Sequence, residues 1–263
     1  MFDPNRQSDA RIVGRGRPIY HSGKNHTNGL LEPPDFRSGL RIKRQSRFTC
    51  FVMVVMSWVV ILASRGAAAG PPDWIDWNGE NFFESCQSDC SVSLSGGRQI
   101  TTAMTRIMLI HNPVPAWEWH WGNAGIINGE FSRRLVTFWH ALDIEPQIGI
   151  GKRFGDMQAV EFWGAVAFRW TAFPWNNYIK TTIAISEGVS LATQVDTVER
   201  AANANHAGSV FLNYFSPEIT FSLPNYQKYE LVFCIHHRSG LYGLIDNVNA
   251  GSQFGTIGFR VHF

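Results

Sequence analysis

The stretch Ala159–Trp170 reads AVEFWGAVAFRW and places an apolar side chain at nearly every second position. Phe162 and Phe168 fall on one face of an extended chain, whereas Glu161 and Arg169 fall on the other. A period of two is typical of a β-strand with one apolar face. The stretch therefore predicts a strand whose two faces meet different environments.

The same period recurs over most of the chain after residue 97 and predicts about eight strands. Turn residues separate them, in HNPVP, FGDM, FPWNN and SLPN. Most of the segments are longer than an average strand of about five or six residues. They cover residues 98–110, 126–137, 141–154, 159–171, 178–193, 209–223, 226–238 and 255–263.

Long one-sided strands fit two architectures, a soluble sandwich with apolar faces inward and a transmembrane barrel with apolar faces outward. Three features favour the barrel. Mid-strand charges can pair inside a closed sheet, the chain ends on an apolar alternation at Phe263, and aromatic residues cluster near strand ends, as at Trp163, Trp170, Phe173 and Trp175. The ending resembles the C-terminal signature of bacterial outer-membrane proteins. We predict an all-β fold, an eight-stranded antiparallel transmembrane β-barrel. Side chains fill the interior of so small a barrel and leave no aqueous channel, so a porin is disfavoured.

The front of the chain differs from the rest in charge and composition. Residues 1–48 carry ten Lys or Arg and four Asp or Glu, a net charge of +6, whereas residues 70–263 carry twelve and seventeen, a net charge of −5. The front is rich in Gly, Pro, Arg, Ser and Asn, so we predict a disordered basic tail over residues 1–47 and a true start further downstream. The acidic body argues against a nucleic-acid partner.

Residues 48–63 read FTCFVMVVMSWVVILA, with KRQSRF before them and SRGAAAG after them. A basic flank, a short apolar core and the small-residue site Ala67-x-Ala69 are typical of a secretory signal peptide. We place it at residues 48–69, with an uncleaved membrane anchor as the alternative. Residues 70–96 then form a periplasmic N-terminal segment, and residues 97–263 form the outer-membrane barrel.

The cysteines follow from export into an oxidising compartment. Cys86 and Cys90, in SCQSDC, can close a small disulfide loop. Their spacing differs from a CxxC redox motif, and no second pair suggests zinc, so we expect no metal site. Cys234 is expected to be a buried free thiol.

The candidate catalytic residues lie in the stretch CIHHRSG, residues 234–240. His237 and Ser239 continue the apolar phase of Phe233 and Ile235, so both are predicted to face lipid. Residues i and i+2 of a strand share a face with Cα atoms about 6–7 Å apart, which lets an imidazole reach a hydroxyl. A base that takes the proton from Oγ is the minimum for a serine nucleophile.

Two motifs in the last two strands resemble those of the PagL-type outer-membrane lipid A 3-O-deacylases. HRSG stands for the family's His-x-Ser-Asn, and NAGSQ, residues 249–253, stands for Asn-x-Gly-x-Glu. The resemblance covers roughly residues 97–263 and implies a site on the outer wall of the barrel, with Ser239 as nucleophile and His237 as base. Gln253 stands where the family has the glutamate that orients the histidine.

The departures from the family pattern have physical consequences. The Gln253 amide can accept a hydrogen bond from the ring, but it cannot stabilise the imidazolium by charge, so we expect a slower enzyme. Gly240 replaces the asparagine after the serine. The backbone N–H groups of Gly240 and Leu241 are our oxyanion-hole candidates. Glu218 is a further candidate acid for His237.

We therefore expect an esterase of the bacterial outer membrane that removes a primary 3-O-linked acyl chain from lipid A, without a cofactor. Its partners would be lipopolysaccharide as substrate and the surrounding outer-membrane lipids, and a homodimer is a candidate assembly. The rival is a non-catalytic outer-membrane barrel with a structural or interaction role, acting through loops such as residues 115–123. A related acyl transferase is the third alternative.

Overall fold

The computed structural model of the chain describes residues 72–78, 83–108, 112–206, 208–249 and 251–263. The basic tail predicted over residues 1–47 and the signal peptide predicted over residues 48–69 lie outside these ranges. Within them, no helix is long and apolar enough to cross a membrane.

Eight long strands carry the fold. In chain order they are β2 (Cys90–Ile100), β3 (Trp121–Arg133), β5 (Leu142–Phe154), β6 (Ala159–Trp170), β7 (Lys180–Ala192), β8 (Phe211–Ser222), β9 (Tyr229–Ser239) and β10 (Gly251–His262). The short elements are β1 (Ile75–Trp77), β4 (Val136–Phe138), the helices α1 (Met104–Ile107) and α2 (Thr197–Ala201), and a 3₁₀ turn at Ala116–Glu118.

The long strands form a closed antiparallel ring. β2 pairs with both β3 and β10, β5 pairs with both β3 and β6, and β6 to β10 pair in succession. Because the sheet closes, no long strand leaves an unpaired edge, and the backbone polar groups are satisfied between strands as a bilayer requires. The predicted eight-stranded antiparallel barrel is confirmed.

The outer wall of the barrel is apolar. The face of β6 that carries Phe162, Phe168 and Trp170 is exposed, and the outward side chains of the other strands are largely aliphatic or aromatic. Soluble proteins rarely expose so continuous an apolar surface. Together with the closed sheet, this surface indicates a barrel that spans a membrane.

The interior is polar and its charges are paired. Glu161 is fully buried and accepts hydrogen bonds from Arg153 and from the hydroxyl of Ser190, 2.5 Å away. His236 Nε2 lies 3.1 Å from Glu161 Oε1. A buried carboxylate is tolerated only with such partners, so this cluster determines which face of β6 and β9 points inward.

A second interior cluster includes Glu218. Its two carboxylate oxygens lie 2.7 Å from Arg169 Nη1 and 2.7 Å from Arg260 Nη2. Both bonds hold Glu218 inside the barrel, whereas His237 lies on the outward phase of β9. The prediction of Glu218 as an acid for His237 is therefore wrong, because adjacent strand positions point to opposite sides of the sheet.

Three further details differ from the sequence predictions. The first barrel strand begins at Cys90 instead of residue 97, because Ser91 and Ser93 already alternate with outward apolar residues. Residues 104–107 form α1 instead of continuing that strand. Trp163 is buried inside the barrel instead of lying at the interface, and its Nε1 donates to Glu130 Oε2 at 3.0 Å.

Removing the charge of Glu161 should destabilise the barrel. Glu161→Gln removes one of the two buried carboxylates that pair with Arg153 and leaves only Glu199, and breaking one side of a buried ion pair costs about 3–5 kcal/mol. Denaturant unfolding in detergent micelles, followed by tryptophan fluorescence, measures the loss. Glu118→Gln changes an exposed acid and should alter the free energy of unfolding by less than about 0.5 kcal/mol. Equal stability of the two variants would contradict the prediction.

Candidate active site

The candidate site lies at the barrel end with the longest connections. There the chain crosses between strands over residues 101–120, 193–210 and 240–250, whereas the opposite end has the connections 171–179 and 223–228 and the hydrogen bond from Phe263 N to Cys90 O. Barrels of the outer membrane have long loops outside the cell and short turns in the periplasm. The same rule would place this site in the outer half of the membrane.

Strand register brings the three predicted side chains together. Gln253 of β10 lies directly opposite His237 of β9, and Gly251 lies opposite Ser239. All three side chains follow the outward phase of their strands, because Ser252 and Arg238 between them are buried inside. Cα atoms of directly opposite residues are about 4.5–5.5 Å apart, and those of residues i and i+2 are about 6–7 Å apart, so Gln253 and Ser239 are both neighbours of His237 on the outer face.

A cleft of about 650 Å³ runs along this part of the wall, and we call it the outer-wall cleft. Its lining includes His237, Ser239 and Gln253 together with the apolar residues Ile100, Met104, Met108, Met157 and Val198. The volume falls in the usual range of ligand pockets, about 300–1,000 Å³. A polar trio at one side of an apolar cleft suits a substrate with a long hydrocarbon part and one reactive polar bond.

The segment after β2 covers the glutamine and orients it. The Nε2 of Gln253 donates to the backbone oxygen of Thr102, and both residues are buried. Because Nε2 is used in this way, Oε1 of the same amide remains as the group that can accept from the His237 ring. This is the role predicted for Gln253.

The imidazole keeps one nitrogen free for chemistry. Nδ1 of His237 is buried and has no hydrogen-bond partner within the described part of the chain. Phe215, on the neighbouring β8, meets the ring edge-on with 6.4 Å between centroids. The ring is thus held by packing while a nitrogen that can accept a proton is left unused, which is unusual for a buried polar atom.

The chain turns sharply after the serine. Leu241 and Tyr242 have φ values of 50° and 57°, and a Cβ on Gly240 would lie 2.6 Å from Cβ of Val248. Only glycine fits against Val248 so closely. Leu241 lines the outer-wall cleft, whereas Gly240 packs against the loop; the use of their N–H groups as an oxyanion hole stays a prediction.

Inward side chains hold the site strands from behind. Arg238 Nη2 donates to the backbone oxygen of Ser209 at 2.9 Å, and Ser252 Oγ donates to Glu199 Oε1 at 2.5 Å. Glu199 belongs to α2, which lies at the same end of the barrel and is capped by Asp196. Because inner and outer residues alternate, these bonds restrain His237, Ser239 and Gln253 without touching them.

Two outward-facing polar residues of the cleft were not among the site residues predicted from the sequence. Glu187 of β7 and Asn213 of β8 both line the outer-wall cleft. Glu187 continues the apolar phase of Ile183 and Ile185, so the alternation that identified His237 also identifies this carboxylate. Asn213 lies directly opposite Ser239.

The cysteines lie apart from the cleft. Cys86 and Cys90 are joined by a disulfide with Cα atoms 5.5 Å apart at the start of β2. Cys234 is a free thiol on the inward phase of β9, with its Sγ 2.9 Å from Thr256 Oγ1.

No family model and no curated protein matches this chain. Among solved structures, the outer membrane enzyme PagL is similar at 11% identity, with 65% of this chain and 98% of that chain covered and a TM-score of 0.38. Neisserial surface protein A (NspA) is similar at 10% identity, with 68% and 100% covered and a TM-score of 0.39. The fold of this chain is shown by its own strand pairing.

An alkyl fluorophosphonate should label Ser239 if His237 activates its hydroxyl. Peptide mass spectrometry locates the adduct. His237→Ala should slow labelling by about 100-fold or more, because the base that takes the proton is gone. His140→Ala, which changes an exposed histidine paired with Asp76 at 2.8 Å, should label like the wild type. Equal labelling rates in the two variants would exclude activation by His237.

Proposed function

We propose that this protein is an outer-membrane esterase that removes a primary 3-O-linked acyl chain from lipid A. One observation carries the proposal: a serine, a histidine and a glutamine lie side by side on the lipid-facing wall, in a cleft with an apolar lining. Polar side chains in such a place are costly unless they have a task. The motif resemblance supports the choice of lipid A as substrate.

The chemistry follows from the placement of the side chains. Ser239 Oγ attacks the ester carbonyl while His237 takes its proton, and the C–O bond to the sugar breaks as His237 returns that proton to the leaving oxygen. Water, activated by the same histidine, then releases the fatty acid from the serine. Gln253 Oε1 accepts from the ring N–H through both steps.

The barrel surface solves a problem of access. A lipid ester lies just below the headgroups and stays in the membrane. It cannot reach a site inside the barrel, whereas a site on the outer wall is accessible to it. The outer-wall cleft offers apolar side chains to the acyl chain and polar side chains to the ester. Ion pairs of Glu161 and Glu218 with buried arginines cross the barrel interior, which does not provide a channel for lipid.

Ser239→Ala should abolish acyl release while leaving the barrel folded. Lipid A from cells that express the wild type should lose one acyl chain in mass spectra, and lipid A from cells with the variant should not. Ser95→Ala, which changes a serine in the barrel interior, is the matched control and should retain activity. Identical spectra from the wild type and Ser239→Ala would contradict the esterase and favour the non-catalytic barrel. Transfer of the chain to another lipid would indicate an acyl transferase.

Gln253→Ala should lower kcat about tenfold with little change in KM, because one hydrogen bond of about 1–1.5 kcal/mol to the ring is lost during proton transfer. Kinetics on a purified enzyme with a micellar ester substrate measure both constants. Gln194→Ala alters an exposed glutamine at the same end of the barrel and serves as control. An unchanged kcat would remove Gln253 from the mechanism.

A further inference from the structure

A carboxylate lies on the lipid-facing wall close to the candidate nucleophile. Glu187 follows the outward phase of β7, between Ile185 and Val189, and both of these neighbours on its face are exposed apolar residues. An acidic side chain in this position is costly in a membrane, and such residues mark functional sites by default. The mechanism above does not use it.

Hydrogen bonds determine which atoms of this group remain available. Nδ2 of Asn213 donates to Glu187 Oε1 and also to the backbone oxygen of Gly188, at 3.0 Å. A backbone oxygen can only accept, so the amide orientation is determined and both of its N–H groups are used. The remaining atoms, Asn213 Oδ1 and Glu187 Oε2, are both acceptors.

Register places these acceptors beside the ester-cleaving pair. Asn213 of β8 lies opposite Ser239 of β9. Phe215, also on β8, lies between Glu187 of β7 on one side and His237 of β9 on the other. Neighbouring strands are about 4.8 Å apart, so Glu187 is about 10 Å from the His237 strand at the level of the backbone. The acceptors therefore flank the serine on the side away from Gln253.

We propose that Glu187 and Asn213 form a subsite that binds a hydrogen-bond donor of the lipid, a hydroxyl or an amide N–H close to the ester that is cut. This inference rests on the proposed esterase function. A subsite made only of acceptors, one of them a carboxylate, binds neutral donors and repels a phosphate group at the same place. It therefore selects esters with a donor nearby and orients them toward Ser239.

Three micellar esters of matched chain length test the subsite. One carries a hydroxyl on the carbon β to the ester carbonyl, one carries an amide next to the ester oxygen, and one carries neither. In the wild type, kcat/KM for a donor-bearing ester should exceed that for the plain ester by about tenfold, as expected for a hydrogen bond to a charged acceptor. The ester that shows the preference identifies the source of the donor.

Glu187→Gln should reduce the ratio of kcat/KM between the donor-bearing and plain esters to about twofold or less, and Asn213→Ala should lower the same ratio. Glu118→Gln removes an exposed acid outside the cleft and should keep the wild-type ratio. Heat-modifiable mobility in electrophoresis shows that each variant is folded. An unchanged ratio in folded Glu187→Gln would overturn the subsite.

A binding measurement separates this proposal from the esterase itself. Calorimetric titration of Ser239→Ala with the same three esters reports the preference without turnover. If the wild type cleaves none of them but Ser239→Ala binds the donor-bearing ester more tightly, and Glu187→Gln removes that difference, the subsite stands and the esterase fails. Equal binding of all three esters would overturn the subsite whatever the activity.

Discussion

The ion pairs inside the barrel decide which way every strand faces. Glu161 with Arg153, and Glu218 with Arg169 and Arg260, are buried charges that need each other. A register slip of one residue would turn them all to lipid and bring the apolar side chains inside. The closed sheet and the paired interior therefore support each other, and the lipid-facing wall is their consequence.

The candidate site depends on this constraint because it uses the outward positions of strands that are held from within. His236 and Arg238, the chain neighbours of His237, point into the interior. Ser252, the chain neighbour of Gln253, also points into the interior. Rigid support of this kind is what a catalytic pair needs, since small displacements of reacting groups reduce rates strongly. The segment around α1 then supplies part of the apolar lining of the outer-wall cleft.

Some parts of the site could be predicted from the sequence and others could not. Alternation alone placed His237, Ser239 and Gln253 outward, and the same rule applied to β7 would have found Glu187. Trp163 and Glu218 were misjudged for different reasons. Trp163 shares the phase of Glu161 and Arg169, so alternation places it inside the barrel although its aromatic ring suggested the interface. Glu218 was considered for its acidity alone, whereas its position on β8 points inward to Arg169 and Arg260.

The period of two by itself determined an all-β chain with one apolar face per strand, because side chains of an extended backbone alternate whatever lies around them. Only the tertiary structure decided that Gln253 lies opposite His237, that Asn213 lies opposite Ser239, and that Thr102 covers the glutamine. These contacts join residues that are far apart in the chain. They depend on strand register and ring closure, which are set by the summed packing and charge pairing of all eight strands and are not written in any local pattern.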